Sequence, residues 1–161
     1  MLPIDGLSPA IERSLGRIAR AFARRYPECE LVEEIDSQVS FPLPLGQVAP
    51  VELSGPFCHA LLLSVLPHEA GQTSDAIVRA AASGAFARAL ELCDSLDVRS
   101  VAAPLLKAGW RVTTAAAMSS MLKVLASAQL RHPLAVEIRI LDEPGAVAQM
   151  AELARSFGLD L

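Results

Sequence analysis

Apolar residues in the first part of the chain recur at helical spacing. Ile11, Leu15, Ile18, Phe22 and Tyr26 fall on one stripe. Ser8-Pro9 supplies a start signal, because a serine oxygen accepts from an orphan N–H and proline suits the first helical position. Pro27 ends the stretch. Between Phe41 and Pro56 the pattern is broken by Pro42, Pro44, Gly46, Pro50 and Gly55. Room remains only for a short strand, Gln47 to Leu53, which its proline assigns to a sheet edge. Phe57 to Leu66 is apolar almost without interruption, as a central buried strand should be.

The second half alternates regularly. Ser74 to Leu96 predicts a long helix, N-capped by Ser74 and closed before Asp97. Arg99 to Pro104 predicts a short buried strand, followed by a loop over 105–113. Thr114 to Leu130 is an Ala-rich helix with Lys123 as its single charge, a pattern that calls for cover on most sides. Val136 to Leu141 predicts another strand, and Asp142-Glu143-Pro144 opens a last helix through Phe157. Val147, Met150, Leu153, Ala154 and Phe157 are its apolar stripe, and Gly158 stops it. The order α-β-β-α-β-α-β-α predicts an α/β protein, a three-layer α/β/α core on a mostly parallel sheet. Its strands are expected near 47–53, 59–66, 99–104 and 135–141.

Composition sharpens this. A chain of 161 residues corresponds to a single domain, 1–161. With 52% hydrophobic and 20% charged residues it is no disordered chain. A net charge of -4 argues against general nucleic-acid binding. Three cysteines in no CxxC spacing give no disulfide framework, so the expected compartment is the cytoplasm. No apolar run approaches the roughly 18 residues of a membrane span, and MLPIDG lacks the basic and apolar regions of a secretory signal. No membrane association is expected.

Candidate chemistry is sparse. His59, His68 and His132 lack metal-ligand spacing, and no nucleophile–base or acid–base pair can be argued, so no metal, cofactor or catalytic residue is expected. Cys58 and His59 are adjacent, but neighbours in a strand point to opposite faces. Two features remain. Arg13, Arg17, Arg20 and Arg24, with Arg25 beside them, place five of the chain's 14 basic residues on the first helix. They form either a solvated face or a docking surface for an acidic partner or anionic ligand. The acidic stretch Glu28 to Asp36 follows. The loop after RSVAAP is the second feature, since ligands of open α/β sheets sit outside the carboxyl ends of strands, near helix N-termini. Gly109 would allow close backbone approach, Lys107 and Arg111 carry charge, and Trp110 offers a stacking surface.

The stretch FARALELCDSLDVRSVAAPLLKAGWRVTTAAA resembles the second half of a macro domain. Ser100, Val101, Ala102 and Pro104 fit that family's strand, Gly109 the first glycine of its phosphate loop, and Ala115 to Ala117 the following helix start. Gly46 and Pro67 match fixed points upstream, and VEIRILDEPGAVAQMAELARSF is similar to the closing strand and helix. The resemblance implies a macro-like fold with ADP-ribose as the ligand type. The chain also departs from it. The family's G-D-I-T and N-A-A-N stretches have no counterpart here, Val112 stands at the second glycine and Arg111 at the usual aromatic. A Cβ at 112 crowds a backbone meant to approach a diphosphate.

These readings predict a non-catalytic macro-like interaction or adaptor module, acting as a homo-oligomer or as a subunit with a partner protein. A sensor binding ADP-ribose or an NAD derivative through Lys107, Gly109, Trp110 and Arg111 is the alternative. An ADP-ribose-processing hydrolase is the third.

Overall fold

The computed structural model describes residues 1–6, 15, 20–66, 73–108, 111–140 and 144–159. The Ser8-Pro9 start, Ile11, Ile18, His68, Leu141, Asp142 and Glu143 lie outside the described residues, as do Arg13, Arg17, Gly109 and Trp110.

The bounded elements, in chain order, are β1 (Leu2–Asp5), α1 (Leu31–Gln38), β2 (Val48–Glu52), β3 (His59–Leu66), α2 (Asp75–Ser95), β4 (Ser100–Pro104), α3 (Thr114–Ser127), β5 (Ala135–Arg139) and α4 (Ala146–Ser156). Residues 20–25 are also helical. The protein is thus mixed α/β, and no helix among the described residues is long and apolar enough to cross a membrane.

β3 is the hub. β1 pairs with it in parallel, Leu2 opposite Leu62, and β2 pairs antiparallel on its other side. β4 and β5 form a separate parallel pair, with Ala103 opposite Ile138. β1 neighbours β4, where the Met1 nitrogen donates to the Ala102 carbonyl at 2.6 Å. The strands therefore follow one another in space as β2, β3, β1, β4, β5.

Strand alternation sends successive β3 side chains to opposite faces. Leu61, Leu63 and Val65 pack with Ala82, Ala85, Phe86 and Leu90 of α2. Ala60 and Leu62 pack with Leu31 and Ile35 of α1 and with Leu15. Both faces of this strand are filled, which explains its unbroken apolar sequence. Each buried leucine contributes about 1.5–3 kcal/mol against exposure. Ser64 is the buried polar exception; its hydroxyl donates to the Leu43 carbonyl at 2.9 Å.

The expected strands and the three long helices downstream of residue 73 appear within a few residues of their predicted bounds. Three points differ. β1 and α1 are additional elements. β1 has only four residues, too few to show a period, and it exists because it pairs with β3 and buries Ile4. α1 carries the acidic stretch and buries only Leu31 and Ile35, so its apolar signal is faint. Finally, α3 is not covered on most sides. Its buried stripe is Ala117, Met118, Met121 and Leu122, while Ala115, Ser119, Lys123, Ala126 and Ser127 are exposed. α2 and α4 flank the buried side, and small side chains leave little apolar area on the other.

Candidate functional site

The loop after β4 connects a strand end to a helix N-terminus, as the sequence anticipates. Thr113 caps α3, its hydroxyl accepting from Ala116 N–H at 3.3 Å. Ser74 caps α2 in the same way, accepting from Ile77 N–H at 3.4 Å. The loop folds back on itself through a Val112 N–H to Lys107 carbonyl bond of 3.0 Å, and Ala108 adopts a positive φ of 47°.

The side chains of this loop turn toward the body of the protein. Val112 is buried with Val78, Ala108 and Ala117. The Arg111 Nε donates to Asp75 Oδ1 at 2.8 Å, and its Nη2 donates to the Thr73 carbonyl and lies 2.7 Å from the same carboxylate oxygen. Its Nη1 is buried with no hydrogen-bond partner. Arg111 thereby ties the loop to the start of α2. Lys107 is half-buried and engaged in an interaction of its own. The sequence reading brought Lys107, Gly109, Trp110 and Arg111 together as one ligand surface; of these only Lys107 and Arg111 are among the described residues. The partners Thr73 and Asp75 were not anticipated, since they lie more than thirty residues upstream. Between this loop and the helices lies a crevice lined by Arg79, Ser83, Leu106, Val112, Ser120 and Met121, with room for about one water molecule.

A second surface lies around the helical stretch 20–25. Phe22 and Tyr26, one helical turn apart in sequence, pack with their rings tilted by 50° and 5.1 Å between ring centroids. Phe57, from the segment joining β2 to β3, meets both, at 5.6 Å from Phe22 and edge-on at 4.9 Å from Tyr26. Phe57 remains 40% exposed. The Arg25 guanidinium sits over the Tyr26 ring at 5.7 Å. Arg20 and Arg24 are exposed, one turn apart, on the side of the helix away from Phe22. Among the described residues neither has an acidic partner. The helical stripe in the sequence places Phe22 and Tyr26 as neighbours, but Phe57 arrives only through the tertiary fold.

The thiols sit in contrasting places. Cys58 is exposed, whereas Cys29 and Cys93 are buried. Burial, helped by a hydrogen bond to Glu34, pushes the Cys29 thiol up to about 11. Among the described residues no three His, Cys, Asp or Glu side chains are grouped to hold a metal ion. His59 keeps its Nδ1 buried and without a hydrogen-bond partner.

No known protein family matches the chain, and no curated protein matches it either.

Proposed function

We propose that this protein is a non-catalytic interaction module on a macro-like, three-layer α/β/α scaffold, docking an acidic segment of a partner protein. The observation that carries this reading is the aromatic cluster of Phe22, Tyr26 and Phe57, left partly open to solvent with the Arg25 guanidinium over the Tyr26 ring. Aromatic and arginine side chains are the residue types that dominate interface energetics. Arg20 and Arg24, on the other side of that helix and lacking acidic partners among the described residues, are free to meet carboxylates of a segment that wraps around it. Arg13 and Arg17 extend the stripe in sequence.

The state of the 105–113 loop adds support. A phosphate cradle needs free cations and room for close backbone approach. Here Arg111 is spent on Asp75 and Thr73, and Val112 is packed into a core cluster. A nucleotide sensor at this loop is the second reading, favoured by the unpartnered buried Nη1 of Arg111 beside two capped helix starts.

Selection from a displayed peptide library tests the proposal. Enrichment of Asp/Glu-rich sequences carrying an apolar anchor is expected, with binding lost in Phe57→Ser and in Arg25→Glu and weakened in the Arg20→Glu, Arg24→Glu double variant. Failure to enrich acidic sequences overturns it. Calorimetry with ADP-ribose decides the second reading; a strong heat of binding abolished by Arg111→Ala would favour the sensor.

A further inference from the structure

The two ends of the strand order are finished differently. At the β2 end, Ser64 N–H donates to the Gln47 carbonyl and Leu53 N–H to the Cys58 carbonyl, each at 3.0 Å. Antiparallel alternation then turns the main-chain groups of Val48, Pro50 and Glu52 outward. Pro50 has no N–H to offer. The Gln38 side-chain amide takes both groups of Glu52, accepting from its N–H at 2.8 Å and donating to its carbonyl at 2.9 Å. This edge is closed to another strand by a proline and by a side chain that occupies outward main-chain groups.

Among the described residues the β5 end has neither of these. Ala135 N–H donates to the Arg99 carbonyl at 2.9 Å, and the Arg139 carbonyl accepts from Leu105 N–H at 3.0 Å. Residues 135, 137 and 139 thus address β4, and the main-chain groups of Val136, Ile138 and Ile140 point away from it. Among the described residues nothing hydrogen-bonds to those outward groups. The exposed face of the strand carries Glu137 and Arg139, paired with each other at 2.9 Å and each about two-thirds exposed.

We propose that β5 pairs antiparallel with β5 of a second copy, across a two-fold axis at Ile138, to form a homodimer. Charge selects the register. Outward-facing groups must meet each other, which allows centring on Val136, Glu137, Ile138 or Arg139. A centre at Glu137 sets glutamate opposite glutamate, one at Arg139 sets arginine opposite arginine, and one at Val136 leaves both charges unmatched. Only the centre at Ile138 places Glu137 of each copy opposite Arg139 of the other, twice by symmetry, with Val136 across from Ile140. The contact is isologous and closes, so it ends at two copies. It goes beyond the acidic-partner reading, which concerns a different surface.

The test is sedimentation across the micromolar range with charge-reversed chains. Wild type is expected to dimerise. Glu137→Arg alone sets like charges opposite each other at both pairs, as does Arg139→Glu alone, and either weakens self-association roughly 30-fold, from about 1 kcal/mol at each of two cross-strand pairs. Mixing the two single variants restores a dimer, now of one chain of each kind, because every cross-strand pair is again opposite in sign. Both substitutions alter exposed side chains, and circular dichroism confirms the fold before each measurement. A concentration-dependent slowing of amide exchange at Val136 and Ile138 in wild type is the independent readout. A monomeric wild type overturns the proposal. So does a dimer unaffected by either variant, an outcome that leaves the acidic-partner reading untouched.

Discussion

Arg111 reaches from the loop after β4 to Asp75 in the first turn of α2, Nε to Oδ1 at 2.8 Å, so one residue joins two strand-to-helix connections. The guanidinium is well matched to this task, because its planar fork bonds the carboxylate and the Thr73 carbonyl together. Arg111→Ala is expected to lower stability by about 2 kcal/mol, the scale of hydrogen bonds to a charged group in a partly buried site. Arg111→Lys should recover less than half of that, since an ammonium cannot span both acceptors. Urea unfolding of the three proteins measures this.

Gly6 follows β1 at a point of very close chain approach. A Cβ built there would lie 1.8 Å from the Leu43 carbonyl oxygen and 2.3 Å from the Ser64 hydroxyl. The backbone oxygen cannot swing away as a flexible side chain would. Gly6→Ala is therefore expected to cost about 3 kcal/mol or more, a magnitude reserved for overpacking and similar core defects. Thermal unfolding by circular dichroism would detect it.

Asp94 organises the approach to β5. Its carboxylate accepts from the Arg131 side chain at 2.9 Å and from the main-chain N–H groups of Arg131 and His132. The side-chain bond from Arg131, with those main-chain bonds, holds the carboxyl below its ordinary value. A folded value lower than that of an unfolded aspartate, about 3.9, means that the stabilisation is present above the unfolded value and fades as pH falls through the folded one. Asp94→Asn should accordingly flatten the acid limb of the stability curve while leaving its neutral-to-basic limb unchanged in slope. Denaturant midpoints collected from neutral pH down to pH of about 3 test the sign.

Thiol chemistry should divide the cysteines. Cys58 is exposed, while Cys29 is buried with a thiol pushed up to about 11 and Cys93 is buried with its thiol raised by desolvation. Because the thiolate is the reactive form, one cysteine per folded chain is expected to react promptly with a disulfide reagent at neutral pH, and all three after unfolding. Cys58→Ser should abolish the prompt phase.

Elements with a long or saturated pattern were legible from the chain alone. The continuous apolar run of β3, the capped periodic stretch of α2 and the glycine-stopped α4 each express local rules that need no distant partner. The breaker prolines likewise marked β2 as an edge, where Pro50 indeed faces outward. Tertiary structure decided the rest. β1 is a four-residue strand whose only reason to be extended is the ladder it makes with β3, and α1 hides a two-residue apolar contact inside an acidic run. The same holds for the candidate surfaces. Arg111 was recognisable as a loop cation, but Asp75 and Thr73 determine where its charge goes, and Phe57 joins Phe22 and Tyr26 from more than thirty residues away. Sequence period records which way a side chain faces within its own element; which residue meets it there depends on loop closure and on how the strands are ordered in space.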